Sequence, residues 1–254
     1  MSTSPTASSS SPLVVAEGLA RTFGRGARAV HALVRLDLRV SPGECVGLLG
    51  LNGSGKSTTL NIVLGLLRPT AGRVEVFGGP AGRRAARGRT GYVPEEARRF
   101  STLSGRETVS LFASLQGVKP RAERRRRVEE ALELVGLEPA ARRRRVDEYS
   151  RGMARRLALA AAWVHRPDLL VLDEPTSGLD PLGTEEILQL LDRHRRDGGA
   201  TLLSTHDRVT AEGACDRVVV LRRGTVVQEG ATKDLLADDG SPSLAGLLRT
   251  EPDA

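Results

Sequence analysis

Gly50-Leu51-Asn52-Gly53-Ser54-Gly55-Lys56-Ser57-Thr58 sets glycines, a lysine and hydroxyls at the spacing G-x-x-x-x-G-K-[ST]. Glycine lets a backbone curl tightly enough for successive N–H groups to converge on one anion. A lysine here reaches the β and γ oxygens of a bound nucleoside triphosphate, and the Ser57 hydroxyl can ligate Mg2+. Cys45–Leu49, just before the loop, is a short apolar run suited to a strand buried on both faces. Residues 57–67 have helical spacing, with Leu60, Val63, Leu64 and Leu67 on one side and a stop at Pro69. A helix starting near Lys56 aims its positive end at the same phosphates. A dinucleotide fingerprint is excluded, because Thr58 stands where its third glycine or alanine belongs.

A second constellation lies further along. The apolar run Leu169–Leu172 ends in Asp173-Glu174. In an open parallel sheet, ligands bind at the carboxyl ends of strands, so Asp173 is expected beside the phosphate loop, holding Mg2+ through water. Glu174, one residue on, can polarise a water for in-line attack on a γ-phosphate. His206 follows a strand expected over Thr201–Ser204, where its imidazole can reach the γ-phosphate and orient Glu174.

The elements that must position these groups alternate between Val/Leu-rich runs and helical patterns, which is the mark of an α/β fold. Strands are expected at Val14–Val15, at 34–40 with Val34, Leu36, Leu38 and Val40 inward, at 72–77, at Val218–Leu221 and at Thr225–Val227. Residues 184–195 read as a helix with Ile187, Leu188, Leu191 and His194 inward. From about 96 to 164 the pattern is helical and basic, with Val128, Leu132 and Val135 forming one stripe, Gly136 ending it and Leu157–Val164 a buried helical segment. A Ser/Thr/Pro-rich tail over 1–12 and a short tail over 233–254, with a helical piece, flank a domain over 13–232.

Bulk properties narrow the function classes. No apolar run approaches the ~20 residues of a membrane helix, and the N-terminus lacks the apolar stretch of a secretory signal. The net charge is +7, concentrated in Arg124–Arg127 and Arg142–Arg145. No aromatics interleave with these arginines as base-stacking platforms, so solvated helix faces are expected and no specific nucleic acid. Cys45 and Cys215 have no metal or redox spacing and are expected as small buried hydrophobes.

Taken together, residues 13–230 resemble the nucleotide-binding subunit of ATP-binding cassette (ABC) transporters. Tyr149-Ser150-Arg151-Gly152-Met153 is similar to the family signature Leu-Ser-Gly-Gly-Gln, keeping its serine and second glycine. Ser177-Gly178-Leu179-Asp180 is similar to the D-loop, and Ser204-Thr205-His206-Asp207 to the switch-histidine segment. Phe23 stands about as far ahead of the phosphate loop as the family's adenine-stacking aromatic. Gly91-Tyr92-Val93-Pro94-Glu95 resembles the Q-loop approach, with Glu95 in place of glutamine, either as a Mg2+ ligand or as a hinge.

The resemblance implies a P-loop NTPase (RecA-like) parallel-sheet core with an N-terminal antiparallel β subdomain and a helical insert over about 96–164. It implies ATP and Mg2+, with Ser57, Glu95 and Asp173 on the metal and Glu174 and His206 in catalysis. ATP contacts would come from Phe23, Gly50 to Thr58 and, across a head-to-tail dimer, from Ser150, Gly152 and Asp180. A separate membrane-spanning permease is the implied partner, on the cytoplasmic face of the membrane. The Glu95 and Tyr-Ser-Arg-Gly-Met forms look like the branch exporting drugs, antibiotics or lipids. The alternatives are a soluble cassette ATPase of translation or DNA repair, a nucleic-acid surface with ATP regulatory, and an importer subunit.

Overall fold

The computed structural model describes residues 11–96 and 102–236. Most of both expected tails lies outside the described residues, as do 97–101 at the start of the helical stretch.

Val14–Phe23 (β1) and Val30–Val40 (β2) form an antiparallel pair, followed by Cys45–Leu49 (β3) and the helix Lys56–Val63 (α1). Ala71–Val76 (β4) and Gly79–Pro80 (β5) extend the antiparallel part, and Arg84–Arg87 (α2) leads into Thr90–Val93 (β6). Four helices come next: Gly105–Leu115 (α3), Arg121–Leu134 (α4), Pro139–Arg142 (α5) and Arg151–Trp163 (α6). Leu169–Asp173 (β7), Pro181–Arg196 (α7), Ala200–Thr205 (β8) and Arg208–Ala214 (α8) resume the alternation. Arg217–Arg222 (β9), Thr225–Ala231 (β10) and Thr232–Leu235 (α9) complete it.

The strands order as β5-β4-β1-β2-β10-β9-β3-β8-β7-β6. From β9 to β6 every pairing is parallel, and β1, β2, β4 and β5 pair antiparallel. The parallel strands are apolar on both faces because both are covered. In β7, Leu169 and Val171 pack with α1 and the antiparallel strands, and Leu170 and Leu172 pack with α3 to α8. α1 is thereby held between the two parts of the sheet.

Three expectations are corrected. Val34 is 53% exposed while Leu33 and Leu36 are buried. The β1–β2 register pairs Leu19 with Leu36 and Arg21 with Leu33, so β2 carries one extra residue there. That bulge inverts the alternation on which a strand reading depends. α1 ends at Val63 rather than at Leu67. Gly65, at φ +68°, and Leu66 donate to the Ile62 and Asn61 carbonyls at 2.9 Å each, a left-handed glycine stop. In α7, Ile187, Leu191 and His194 are buried, but the fourth buried side chain is Leu190 and Leu188 is only half-buried.

The close approach at Gly65 yields a test. A Cβ there would lie 2.3 Å from Gly82 Cα, in a backbone conformation that already disfavours one. Gly65→Ala is expected to cost about 2 kcal/mol or more and to lower the thermal midpoint by roughly 5 °C, read by calorimetry. An unchanged midpoint would contradict the stop described here.

The arginine clusters lie on ion-paired faces. Arg126 pairs with Glu123 and Glu130, Arg127 with Glu123, Arg142 with Glu129, Arg144 with Glu148 and Arg145 with Asp147. Both cysteines are buried, and the neighbouring Cys215 thiol together with burial pushes the Cys45 thiol well above its ordinary range.

Candidate active site

The phosphate loop leaves the sheet where β3 ends. Gly50 N–H donates to the Thr205 carbonyl at 3.3 Å, so the loop starts level with the end of β8. A Cβ on Gly50 would sit 2.4 Å from Ser54 Oγ and 2.5 Å from the Leu221 carbonyl, which leaves no room for one. Gly55, at φ +108°, precedes α1 and lies against the Ala32 carbonyl of β2. No side chain caps the N-terminus of α1 and its first turn carries no acidic residue. Its positive end therefore keeps N–H groups available to an anion. Leu51, Asn52, Gly53 and Ser57 are exposed, Thr58 is half-buried, and Ser54 is buried with its hydroxyl lacking a partner among the described residues. The β9–β10 turn backs the loop, with Gly224 N–H donating to the Ser54 carbonyl at 3.0 Å.

Lys56 is buried, and its Nζ donates to the Gly50 carbonyl at 2.7 Å and the Leu51 carbonyl at 3.3 Å. The same Nζ lies 3.4 Å from Glu174 Oε1. Ser57 Oγ donates to Asp173 Oδ1 at 3.2 Å, which ties the loop to the end of β7.

Asp173 is the last residue of β7, paired across the sheet with Ser204 of β8. The Ser204 hydroxyl donates to Asp173 Oδ1 and also accepts from Glu174 N–H at 3.0 Å. From its position along the chain Ser204 is expected only as part of a strand and of the switch segment. The signal was a polar residue in a run with both faces buried, since a buried hydroxyl there needs partners. Glu174 holds φ +48°, a left-handed conformation uncommon outside glycine that marks backbone fixed for a purpose. It is buried, its Oε2 lies 3.0 Å from His206 Nδ1, and its Oε1 makes no hydrogen bond among the described residues. His206 is half exposed. Burial, then the nearby Asp173 carboxylate, raises the Tyr92 phenol above its usual value.

The structure thus brings together residues 50–58, Asp173, Glu174 and His206. It leaves five other expected residues apart from them. Ser150 caps α6, accepting from Met153 N–H at 3.2 Å, and no hydrogen bond links Ser150 or Gly152 to residues 50–58 among those described. A Cβ on Gly152 would meet only Leu179 at ordinary contact distance, so the helix tip is open. Asp180 caps α7 through Gly183 N–H at 2.9 Å. Glu95 is exposed, and its carboxylate bonds neither Ser57 nor Asp173. Phe23 is 39% exposed and stands opposite Val30, two residues along β2 from the Ala32 that touches the loop. The Arg21 guanidinium covers one face of its ring at 4.4 Å.

The donor set fits Mg2+ rather than a softer metal. Ser57 and Asp173 present hard oxygens in contact, and no group of three or more His, Cys, Asp or Glu able to hold a metal occurs among the described residues. Such a pair suits an ion whose remaining ligands are phosphate oxygens and waters.

A family model described as ABC transporter matches residues 33–177. An uncharacterized ABC transporter ATP-binding protein of Synechocystis is 36% identical over 83% of this chain and 59% of its own length. The Nod factor export ATP-binding protein I of Paraburkholderia xenovorans is 42% identical over 80% of this chain and 67% of its own. The methionine import ATP-binding protein MetN 2 of Rhodococcus jostii is 34% identical over 95% and 74%. The chain thus spans about three fifths to three quarters of the length of these relatives. Among solved structures, a dimeric ATP-binding cassette in a post-hydrolysis state bound to ADP and Pi superposes with TM-score 0.80 at 29% identity, covering 86% of this chain and 98% of that one.

Proposed function

This chain belongs to the ABC transporter family of ATP-binding proteins, and from that premise we propose that it binds and hydrolyses ATP to drive transport through a separate membrane-spanning permease. The observation that carries the reading is one connected network. Lys56 and Ser57 of the phosphate loop reach Glu174 and Asp173 directly, and Ser204 and His206 hold those carboxylates from β8 and the residue after it.

In this reading the loop N–H groups and Lys56 bind the phosphates, and Phe23 stacks on adenine with the ring face that Arg21 leaves open. Ser57 and Asp173 would hold Mg2+, with Glu95 reaching it directly, through water, or acting only as the hinge; the ion when bound neutralises charge on the β and γ phosphates. Glu174 Oε1, which makes no hydrogen bond among the described residues and lies 3.4 Å from Lys56 Nζ, is the oxygen we assign to take the proton of an attacking water. His206 fixes Oε2 and with it the carboxylate plane.

The open tip of α6, capped by Ser150 and free at Gly152, makes no hydrogen bond to its own phosphate loop among the described residues, which supports a role across a head-to-tail pair. Asp180 would link the two composite sites.

No helix among the described residues is long and apolar enough to cross a membrane. A mainly apolar groove of about 680 Å3 runs between the sheet edge and α3 and α6, lined by Leu64, Tyr92, Phe112, Leu157 and Ala161 among others. Exposed Leu66, on the chain beside that groove, and Leu111 and Leu115 of α3 add apolar surface. This supports docking of the permease there, on the cytoplasmic face of the membrane. Export, of a drug, antibiotic or lipid, is the direction we propose from the signature and Glu95. An importer subunit is the second reading, favoured by the methionine import relative.

The test is co-purification with a polytopic membrane protein and ATP turnover by that complex. Association with ribosomes or DNA instead, and no turnover with the membrane partner, would overturn the proposal.

A further inference from the structure

Two arginines stand side by side in the first two turns of α6, and they face different neighbours. Arg156 pairs with Glu186 of α7 and donates to the Val135 and Gly136 carbonyls. Arg155 turns the other way, toward the sheet. It is only 6% exposed, and its two terminal nitrogens donate to the Pro94 and Glu95 carbonyls at 2.7 Å each.

Pro94 follows β6, whose last residue Val93 pairs with Leu172, the residue before Asp173. The guanidinium therefore sits under the carboxylate end of the sheet. Burial pulls its ionisation below the usual arginine value, and the charges of Glu95, Asp173 and Glu174 oppose that. Five residues before Arg155, about 7.5 Å of helix, lies the Ser150-capped tip.

A buried cation is costly, and an aliphatic side chain would fill the same space more cheaply. Two successive carbonyls, each taking a different terminal nitrogen of one side chain, call for a planar fork of donors, which arginine has and lysine lacks. The bonds cross from the helical layer to the edge of the sheet, next to the residues that link β6 to α3.

We propose that Arg155 is a positioning residue whose fork clamps the Pro94 and Glu95 carbonyls, so that the Glu95 segment and the Ser150 tip of α6 move as one piece. The role of that movement rests on the ATPase reading above; the clamp itself does not. A shift of the α6 tip, which faces a second subunit in that reading, is thereby delivered to the Glu95 segment, which follows the strand paired with β7.

The experiment uses the full chain and Arg155→Met. Amide hydrogen exchange without nucleotide is expected to rise about tenfold or more at Glu95 and Glu96, with β3, β7 and β8 unchanged. In the transporter complex, turnover is expected to fall about tenfold with MgATP affinity held within roughly threefold. Adding Glu95→Ala to Arg155→Met should then cost no further turnover, because both act through one segment. If Arg155→Met does not fold, Arg155→Lys, which keeps the charge and loses the fork, takes the same measurements.

Unchanged exchange at Glu95 and Glu96 would overturn the clamp. So would a uniform rise across β6 and α6 with a lowered thermal midpoint, which is the signature of a core filler. Fully additive losses in the double variant would overturn the shared path. Absence of turnover in the unmodified complex would defeat the ATPase reading, while the exchange measurement still decides the clamp.

Discussion

Glu174→Gln is expected to leave MgATP binding within about threefold and to cut turnover by roughly a hundredfold or more, the usual worth of a positioned general base. The amide matches the carboxylate in shape, and its one oxygen can face Lys56 while its NH2 donates to His206 Nδ1, the two groups that flank the Glu174 oxygens. The left-handed backbone at this position, with its N–H bound to Ser204, is no harder for glutamine than for glutamate. What is lost is the ability of Oε1 to take a proton. Phosphate release by the transporter complex and equilibrium binding of labelled ATP check the two halves separately. Hydrolysis at the original rate would remove Glu174 from the role of base.

Lys56→Met is expected to act on binding and on stability together. Charge-assisted hydrogen bonds are worth about 1.5–3 kcal/mol each, so losing contacts to two phosphate oxygens should weaken MgATP affinity by on the order of a hundredfold or more. The same substitution takes the cation from a carboxylate that is 5% exposed. Breaking a buried pair from one side costs roughly 3 kcal/mol, because a charge is left without its partner. Adding Glu174→Gln removes that stranded charge, so the double variant should regain stability without regaining affinity. Thermal unfolding and ATP binding of both variants decide this. Equal midpoints for the single and double variants would show that Lys56 and Glu174 are not an energetic pair.

Much of this site was legible because its parts are local. The glycine spacing around Lys56, the apolar run before it and the helix after it lie within about twenty residues, and each follows from short-range backbone chemistry. The Asp173-Glu174 pair at the end of an apolar strand is local in the same way. Misreadings arose where a long-range contact altered a local rule. Val34 looked inward because alternation assumes no bulge, and the bulge exists only in the pairing of β2 with β1. α1 looked longer because Leu64 and Leu67 keep the helical spacing past Gly65, whose left-handed turn packs against Gly82.

The α/β alternation, the anion-binding loop, the two carboxylates and the serine that caps α6 all follow from residues near one another along the chain. That Ser57 touches Asp173, that Ser204 holds two neighbours at once and that Arg155 is buried against Pro94 and Glu95 emerges only once the chain is folded. The reason is physical. Backbone preference and hydrophobic spacing act over a few residues, whereas those contacts depend on which strands lie side by side and in what register. The parallel pairing of β3, β8, β7 and β6 brings together residues 31 to 156 positions apart, and no local pattern encodes that order.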